Sequence, residues 1–311
     1  MITSPLVELF PSLARHARTA TRLHPTGGEV TMYDSHAGGP LLWPDGEPWP
    51  VCREKREVEE QVPLPDDLVR RMRDPERREA AVRELGGGYT GWADTADGRL
   101  VGTKTLWRRH EPHNPLLPVA QLRAADVKDL PRPKGTDMLQ VLWCPAIHKG
   151  PPWGPVVRLR WRRQADVTEP LEAQPVSRVD HARYALRQCR FEPERVTEYP
   201  PRDELPVRLR QQVEAWGGGH DAMAVAPGWK AGGYSTAPVT GYTPTECSTC
   251  GGRMKLALVI ATSEAGEGGN WQRPGRSDPD EPTGVLIGRY GSLRIFVCTR
   301  CPGTPSIEDI Q

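Results

Sequence analysis

The pattern of apolar and polar positions predicts a chain of many short strands with a few helices. Strict alternation over residues 156–163 places Val157, Leu159 and Trp161 on one face and arginines on the other, which is typical of a half-buried strand. Apolar runs predict further strands over 117–122, 138–144, 254–261, 284–287 and 293–297. The pattern therefore favours an α+β fold that is rich in strands.

Helical spacing occurs in two stretches of the first third. Apolar residues three and four positions apart over 5–23 predict an N-terminal helix, with Pro11 near its start or at a break. The charge-dense stretch 53–86 predicts a helical insertion on the surface, with helices over 66–73 and 75–85. Few apolar residues in this insertion indicate a narrow contact with the rest of the protein.

Composition and charge exclude several classes of protein. With 31 glycines and 33 prolines among 311 residues, many turns and short elements are expected rather than a helical bundle. A net charge of +1 offers no general attraction to nucleic acid or to an anionic membrane. The chain has neither an apolar run of the roughly 20 residues that span a bilayer nor a signal-peptide pattern, so we expect a cytoplasmic protein with no membrane partner.

Two cysteine pairs near the C-terminus carry the clearest chemistry. Two residues separate Cys247 from Cys250, and two residues separate Cys298 from Cys301. Two such pairs supply the four soft thiolates of a tetrahedral structural Zn²⁺ site, and a reducing compartment favours metal binding over disulfides. The pairs are further apart than the roughly 15–20 residues of compact zinc motifs. We therefore expect a zinc-ribbon-like Cys₄ element built into a larger β-rich half.

Four features recur in the same order in the two halves of the chain and predict an internally duplicated core. Ala-Gly-Gly follows His36 in one half and Lys230 in the other. The later features pair as follows: Trp49-Pro50 and Cys52 with Thr243-Pro244 and Cys247, 117–122 with 256–261, and 139–144 with 293–298. Cys52 thus matches Cys247, and Cys144 matches Cys298.

The duplication raises the question whether the first half also binds a metal ion. Lys55 and Ile147 stand where Cys250 and Cys301 stand in the second half. Cys52, Cys144 and the nearby His148 could form a degenerate second metal site. The favoured interpretation is that Cys52 and Cys144 are two buried free cysteines.

These features divide the chain into five parts. They are an N-terminal helix over 1–27, a first repeat over 28–165, a linker and helix over 166–226 with the helix near 203–216, a second repeat with the zinc site over 227–302, and a tail over 303–311. The oligomeric state is left open.

Five segments carry distinctive motifs. They are Gly-Gly-Pro-Leu-Leu-Trp-Pro-Asp-Gly-Glu-Pro-Trp-Pro over 38–50, Pro-Val-Ala-Gln-Leu over 118–122, the segment 131–140, Gly-Trp-Lys-Ala-Gly-Gly over 228–233 and Cys-Thr-Arg-Cys-Pro over 298–302. Together these motifs resemble the bacterial YwqG-like family. The resemblance implies a mostly β fold with some α-helix and a duplicated core. The family has no established enzymatic activity, and some members beside polymorphic toxins are thought to be immunity proteins. The charged segment 53–86 departs from typical members.

The function that we expect is that of a zinc-stabilised binding protein that recognises another protein, such as an immunity protein. Its support is the pure Cys₄ set, which leaves no open coordination position for a substrate. The first alternative is an enzyme with a site in the cleft between the repeats. Its candidate acid–base residues are His36, His110, His113, His148, His220, Asp45 and Glu47. No nucleophile elbow, zinc-protease helix, phosphate loop or dinucleotide fingerprint supports it, and no catalytic residue is assigned.

The second alternative is nucleic-acid binding through the zinc module and the arginine-rich strand. Arg158, Arg160 and Arg162 would face phosphates from one side of that strand. The neutral net charge argues against this function, and a strand face balanced by nearby acids explains the arginines more simply.

Overall fold

The computed structural model describes residues 5–86, 88–150, 152–236, 245–266, 270–273 and 280–311. They have the mixed, strand-rich α+β architecture that the sequence predicts. The strands are β1 (Arg18–Arg22), β2 (Thr26–Gly27), β3 (His36–Ala37), β4 (Val51–Cys52), β5 (Arg56–Pro63), β6 (Gly91–Asp94), β7 (Leu100–Arg108), β8 (Asn114–Pro115), β9 (Leu117–Arg123), β10 (Met138–Cys144), β11 (Val156–Arg162), β12 (Cys189–Arg190), β13 (Glu194–Glu198), β14 (Lys230–Gly232), β15 (Lys255–Ala261), β16 (Ser292–Val297) and β17 (Ser306–Ile310). The α-helices are α1 (Leu6–Leu9), α2 (Asp66–Arg73), α3 (Arg78–Leu85), α4 (Val207–Trp216) and α5 (His220–Ala224).

Two antiparallel sheets, each with six described strands, form the body of the molecule. The first has the order β2-β12-β3-β9-β10-β11, and the second has the order β13-β1-β14-β15-β16-β17. In both sheets a short strand at an Ala-Gly-Gly segment, β3 or β14, lies beside three strands that follow one another in chain order. β10 is flanked by β9 and β11 just as β16 is flanked by β15 and β17.

The main hydrophobic core lies between these sheets. Leu139 and Val141 of β10 belong to one buried cluster with Leu293 and Ile295 of β16. Val157 of β11 belongs to it as well, so the inward face predicted from the alternation over 156–163 is confirmed. Because alternate residues of a strand share a face, these strands present one apolar row each to the opposite sheet.

The N-terminal segment is a short helix and a strand, and the predicted helix over 5–23 is wrong. α1 has only four residues, a 3₁₀ helix covers Pro11–His16, and β1 follows. Pro11 has no N–H to continue the α-helix that precedes it. Ala20 fits helical spacing, but it is buried on β1 between β13 and β14. Pairing with two strands distant in sequence overrode the local periodicity.

Two C-terminal segments also differ from expectation. Residues 284–287 form no strand, although Val285 and Ile287 are buried in the main core. The predicted tail over 303–311 contains β17, which pairs with β16 along its whole length. An apolar run in the sequence indicates that the residues are buried. Strand formation also needs a neighbouring strand to pair with, and the local sequence pattern does not reveal that strand.

Residues 53–109, here called the excursion, leave the first sheet and return to it. β5 and β7 pair from Arg56 with Arg108 to Pro63 with Val101, and β6 pairs with the far side of β7. α2 coincides with the predicted helix over 66–73, while the predicted helix over 75–85 begins only at Arg78. The predicted helical insertion is thus part of a larger unit with its own three-stranded sheet.

Loops and helices cover the outer faces of the sheets. The loop over 38–50, here called the Trp-Pro loop, is ordered on the first sheet, since the Leu42 N–H donates to Gln121 Oε1 (2.8 Å) and Gln140 Nε2 donates to the Leu42 carbonyl (2.8 Å). Helices α1, α4 and α5 form a separate apolar cluster with Tyr199. The predicted helix near 203–216 is α4, which ends at Gly217 in a left-handed conformation. Among the described residues, no helix has the length and apolar character needed to cross a membrane.

Candidate metal centre

The first cysteine pair lies in a tight turn just before β15. The Gly251 N–H donates to the Cys247 carbonyl (2.8 Å), and the Cys247 N–H donates to the Gly252 carbonyl (2.9 Å). Gly251 has a φ of 64°, which a residue with a side chain rarely adopts. The glycine after Cys250 thus permits this tight turn.

The second pair lies in the connection between β16 and β17. Cys298 directly follows β16, and its N–H donates to the Pro305 carbonyl (2.9 Å). The Thr304 N–H donates to the Cys301 carbonyl (3.2 Å) and closes the turn. β17 therefore holds the second pair from its C-terminal side, which gives the predicted tail a role in positioning the ligands.

The four thiols meet at one point. The Sγ atoms of Cys247, Cys250, Cys298 and Cys301 all lie within 4.8 Å of one another. Sγ–Sγ distances are 3.9 Å for Cys247 with Cys301 and 3.7 Å for Cys250 with Cys298. A tetrahedral zinc site with Zn–S bonds of about 2.3 Å has edges of about 3.8 Å, so the donor set fits such an ion. This group can hold a metal ion.

Backbone and side-chain donors favour thiolates in the group. The Arg300 N–H lowers the pKa of Cys298 to about 6 by hydrogen bonding to its sulfur. The Arg300 guanidinium lies 3.3 Å from Cys250 Sγ, and the thiolate there raises the pKa of Arg300. Hydrogen bonding to the Cys250 sulfur raises the pKa of Cys301, because the protonated Cys301 thiol is the donor, and the negative charge of Cys247 adds to the shift. A divalent cation would neutralise this charge.

The group contacts the hydrophobic core on one side. Cys247 and Cys298 are buried and belong to the main core cluster, Cys301 packs against it, and Cys250 is exposed. With four protein ligands in a closed tetrahedron, no coordination position remains for water or substrate. The chemistry of this arrangement is structural: a bound ion would link the ends of β15, β16 and β17.

A second group of thiols and imidazoles occurs at the first sheet. Ligand atoms of Cys52, His110 and Cys144 lie within 4.8 Å of one another, and all three residues are buried. His148 is also buried, with Nε2 at 3.3 Å from Cys52 Sγ. The sequence grouped Cys52, Cys144 and His148 but missed His110. The excursion separates His110 from Cys52 along the chain, and only the pairing of Arg56 with Arg108 brings it back.

Hydrogen bonding divides the two thiols of this second group. Cys144 donates to Cys52, which lowers the pKa of Cys52 and raises the pKa of Cys144. Burial, together with the Arg56 guanidinium, lowers the pKa of His110 and keeps its ring neutral. Neutral imidazoles and a thiolate are the protonation states in which these groups bind metals.

The candidate acid–base residues do not form one site. His36 and His220 are buried, and each Nε2 lies 2.9 Å from a proline carbonyl, of Pro40 and Pro200 respectively. His113 and Asp45 are exposed, and Glu47 pairs with Arg162 at 2.8 Å. Glu47 also lies 3.6 Å from Arg160, so it balances two of the three strand arginines.

A cavity of about 1000 Å³ lies beside the second sheet. Its charged lining includes Arg18, Asp129 and Arg294. None of the seven candidate acid–base residues is among the described residues that line it. The cavity therefore offers no site for the enzyme alternative as the sequence framed it.

Comparison with known proteins supplies no assignment to a family. No family model matches the chain, and no curated protein is significantly similar to it in sequence. The resemblance to the YwqG-like family therefore rests on the motifs quoted above.

Proposed function

We propose that this chain is a zinc-stabilised cytoplasmic protein that recognises another protein, with an immunity-type role as in some YwqG-like proteins. The observation that carries the proposal is the closed set of four thiols, which suits a structural ion and excludes a substrate from the metal. Zinc is the ion we propose because four thiolates in a tetrahedron select it over harder cations. The cytoplasm is proposed because the thiols must stay reduced to bind it.

We also propose that the two sheets descend from one duplicated unit. The support is their shared strand order, in which β3, β9, β10 and β11 correspond to β14, β15, β16 and β17. Thr243 and Pro244, which belong to one of the recurring features, lie outside the described residues. A duplicated scaffold fits a binding protein, because one half can keep the stabilising metal while the other carries an added recognition element.

The excursion is the recognition element that we propose. Trp153 is 57% exposed, and its ring centroid lies 5.9 Å from that of half-buried Trp107 on β7. Trp92 on β6 is 40% exposed. Exposed tryptophans at the base and edge of a projecting sheet supply the apolar anchors on which protein interfaces depend.

The proposal is tested by capture of a partner from the natural host, followed by binding measurements with the purified pair. We expect Trp153→Ala to weaken binding at least tenfold with little change in melting temperature, since removal of an interface anchor costs roughly 2 kcal/mol or more. Tyr33→Ala is the matched control, because Tyr33 is 52% exposed but its carbonyl accepts from Arg123 on β9, whereas Trp153 packs against Trp107 of the excursion. Equal effects of the two substitutions would contradict the assigned surface. Failure to bind any partner, together with turnover in a substrate screen, would favour an enzyme instead.

A further inference from the structure

We propose that Cys52, His110, Cys144 and His148 form a second metal site, of the Cys₂His₂ type, for a divalent cation such as zinc. Cys52, His110 and Cys144 have ligand atoms within 4.8 Å of one another, and His148, which is not in that group, would have to move closer to complete the tetrahedron. Two of the donor distances match those of a tetrahedral site. Cys52 Sγ lies 3.3 Å from His148 Nε2, and Cys144 Sγ lies 3.4 Å from His110 Nε2. With Zn–S bonds of about 2.3 Å and Zn–N bonds of about 2.0–2.1 Å, the sulfur–nitrogen edge of a tetrahedron is about 3.5 Å.

Burial sets this group apart from a chance cluster of surface residues. His110 and Cys144 are 0% exposed, and Cys52 and His148 are at most 5% exposed. Cys52 and Cys144 belong to an apolar cluster with Trp43 and Leu142, beneath the Trp-Pro loop. Removing water from two thiols and two imidazoles in this way is costly unless each finds a partner, and a metal ion satisfies all four at once.

His148 is oriented as a metal ligand. Its Nδ1 lies 3.1 Å from the Ala146 carbonyl and 3.2 Å from the Gly154 carbonyl, so Nδ1 carries the proton and donates it to them. Nε2 then presents its lone pair towards Cys52 Sγ. A backbone carbonyl that fixes the protonated nitrogen is the usual outer partner of a metal-binding histidine.

Metal binding by His110 requires a change in the hydrogen bonds at its Nδ1. Arg56 Nε lies 3.1 Å from His110 Nδ1 and also 3.1 Å from Asp180 Oδ2. Arg178 Nη2 also lies 2.5 Å from Nδ1. Without metal, Nδ1 accepts from these two arginines, so Nε2 holds the ring proton beside Cys144 Sγ. Metal binding at Nε2 moves this proton to Nδ1, so both guanidiniums must turn from Nδ1 towards Asp180. Arg56 then donates to Asp180 Oδ2, which is buried and otherwise has no hydrogen-bond partner, while Arg178 Nε already lies 3.7 Å from Asp180 Oδ1. The one remaining thiol proton, on Cys144, is released to solvent.

The position of the group in the fold supports the same conclusion. Cys144 ends β10, and Cys298 directly follows β16, the strand at the corresponding position of the other sheet. His148 lies in the turn after Cys144, as Cys301 lies in the turn after Cys298. Cys52 is matched by Cys247, and the place of Cys250 is taken by His110, which returns two residues after the β5–β7 pair closes.

A nucleophilic cysteine–histidine pair is the rival chemistry for these residues. Such a pair must reach a substrate, but Cys144 and His110 have no exposed surface. Asp180 Oδ2 approaches Nε2 of His110 at 3.5 Å, which is the nitrogen that faces Cys144, and so it cannot orient the ring from the opposite side. The metal site is the function that the geometry supports.

The site would fasten the base of the excursion to the first sheet. His110 follows the last pair of β5 and β7, while Arg56 at the start of β5 bridges to His148. One ion therefore joins both stems of the excursion to the end of β10. This inference does not depend on the proposed recognition function.

The experiment is metal analysis of the full chain, purified under reducing conditions with zinc in the growth medium. We expect about two zinc ions per wild-type chain, about one in Cys250→Ser/Cys301→Ser, and about one in Cys52→Ser and in His110→Gln. Cys189→Ser is the matched control, because Cys189 is buried but bonds to the Pro282 carbonyl instead of to another thiol or imidazole. It should keep both ions.

Cobalt substitution identifies the donors without relying on the folding of a variant. Cobalt added to the metal-free wild type should give two absorption spectra in sequence, and sulfur-to-cobalt charge transfer should be weaker per ion at the site with two thiolates.

Asp180→Asn should leave the metal count at two, and His148→Ala should lower it. One ion per wild-type chain, a count unchanged by Cys52→Ser, or a Cys52–Cys144 disulfide in freshly purified reduced protein would overturn the proposal.

Discussion

Buried ionisable side chains occur at matching strands of the two sheets, His36 on β3 and Lys230 on β14. Each is stabilised differently. His36 is neutral, accepting from the Gly39 N–H at Nδ1 and donating from Nε2 to the Pro40 carbonyl. Lys230 donates to Glu198 and to the Tyr234 carbonyl, and Glu198 also accepts from the Ala226 N–H (2.8 Å). Buried polar side chains of this kind favour a single strand register in each sheet, because a shift of one residue would leave them without hydrogen-bond partners.

The neutral state of His36 makes a prediction about pH. Burial lowers the pKa of His36 to about 4, below its ordinary value of 6.5. The unfolded chain therefore binds a proton between these values while the folded chain does not, so the free energy of unfolding falls as the pH decreases from about 6.5 to about 4. The slope is about 1.4 kcal/mol per pH unit for each such histidine. The pKa of His24 is also about 4, mainly because of burial, and it adds to the effect.

Urea unfolding at several pH values measures this slope. His36→Gln should reduce it by roughly the share of one histidine, because the amide can donate to Pro40 without titrating. His113→Gln, at an exposed position, should leave the slope unchanged. A wild-type free energy that stays constant between pH 6.5 and 4 would contradict the buried neutral state.

At the scale of elements, the excursion is a unit with its own apolar cluster. Leu64, Leu68, Met72, Ala81 and Leu85 are buried together, and none of them belongs to the main core. Their contacts come from α2, α3 and the excursion strands. Such a unit can open without disturbing the two large sheets, since few apolar contacts connect it to them.

Leu85→Ala tests this independence. Leu85 is 2% exposed, so its truncation should destabilise the excursion by about 2–5 kcal/mol through loss of burial and an unfilled cavity. Hydrogen exchange should accelerate across α2, α3 and β5–β7, while protection of β10, β15 and β16 stays unchanged. Ile295→Ala, in the main core, should accelerate exchange throughout. Equal acceleration of both regions by Leu85→Ala would show that the excursion and the sheets unfold together.

At the scale of the whole molecule, metal ligands lie at the same end of corresponding strands in the two sheets. The Cys₄ group links β15, β16 and β17, and the Cys52 group links β10 to the stems of the excursion. Each region lacks the disulfides that would otherwise fasten long connections, since all seven cysteines are free thiols. Metal binding at these points would supply folding free energy, on the order of 10 kcal/mol for a structural zinc site.

Chelation measures the contribution of metal to the stability of the whole molecule. Removing metal under reducing conditions should lower the melting temperature by on the order of 10 °C or more, for a loss on the order of 10 kcal/mol or more in a chain of this size. Cys144→Ser and Cys250→Ser should each cost a comparable part of this shift, because each removes one site. After chelation, most of the difference between these variants and the wild type should disappear. A much larger loss for Cys250→Ser alone would indicate that only the second sheet binds metal.

Local information in the sequence was enough for several elements. The run 138–144 coincides with β10, because a strand buried on both faces is apolar at nearly every position, here all but Gln140. The spacing within Cys247–Cys250 and Cys298–Cys301 sufficed to name the ligands, because a two-residue spacer brings two thiols to one point. The helix predicted over 5–23 is wrong because local spacing was not enough there. The spacing suited a helix, but β13 and β14 pair with residues of this segment as a strand.

The sequence by itself determined the fold class, most central strands and the Cys₄ group, since each depends on residue type and short-range spacing. Only the tertiary structure decided that residues 306–310 form a strand and that His110 joins Cys52 and Cys144. The physical reason is that both depend on pairing between distant segments, β17 with β16 and β5 with β7. Which segments pair depends on the free energy of the whole chain, and no window of the sequence contains that information.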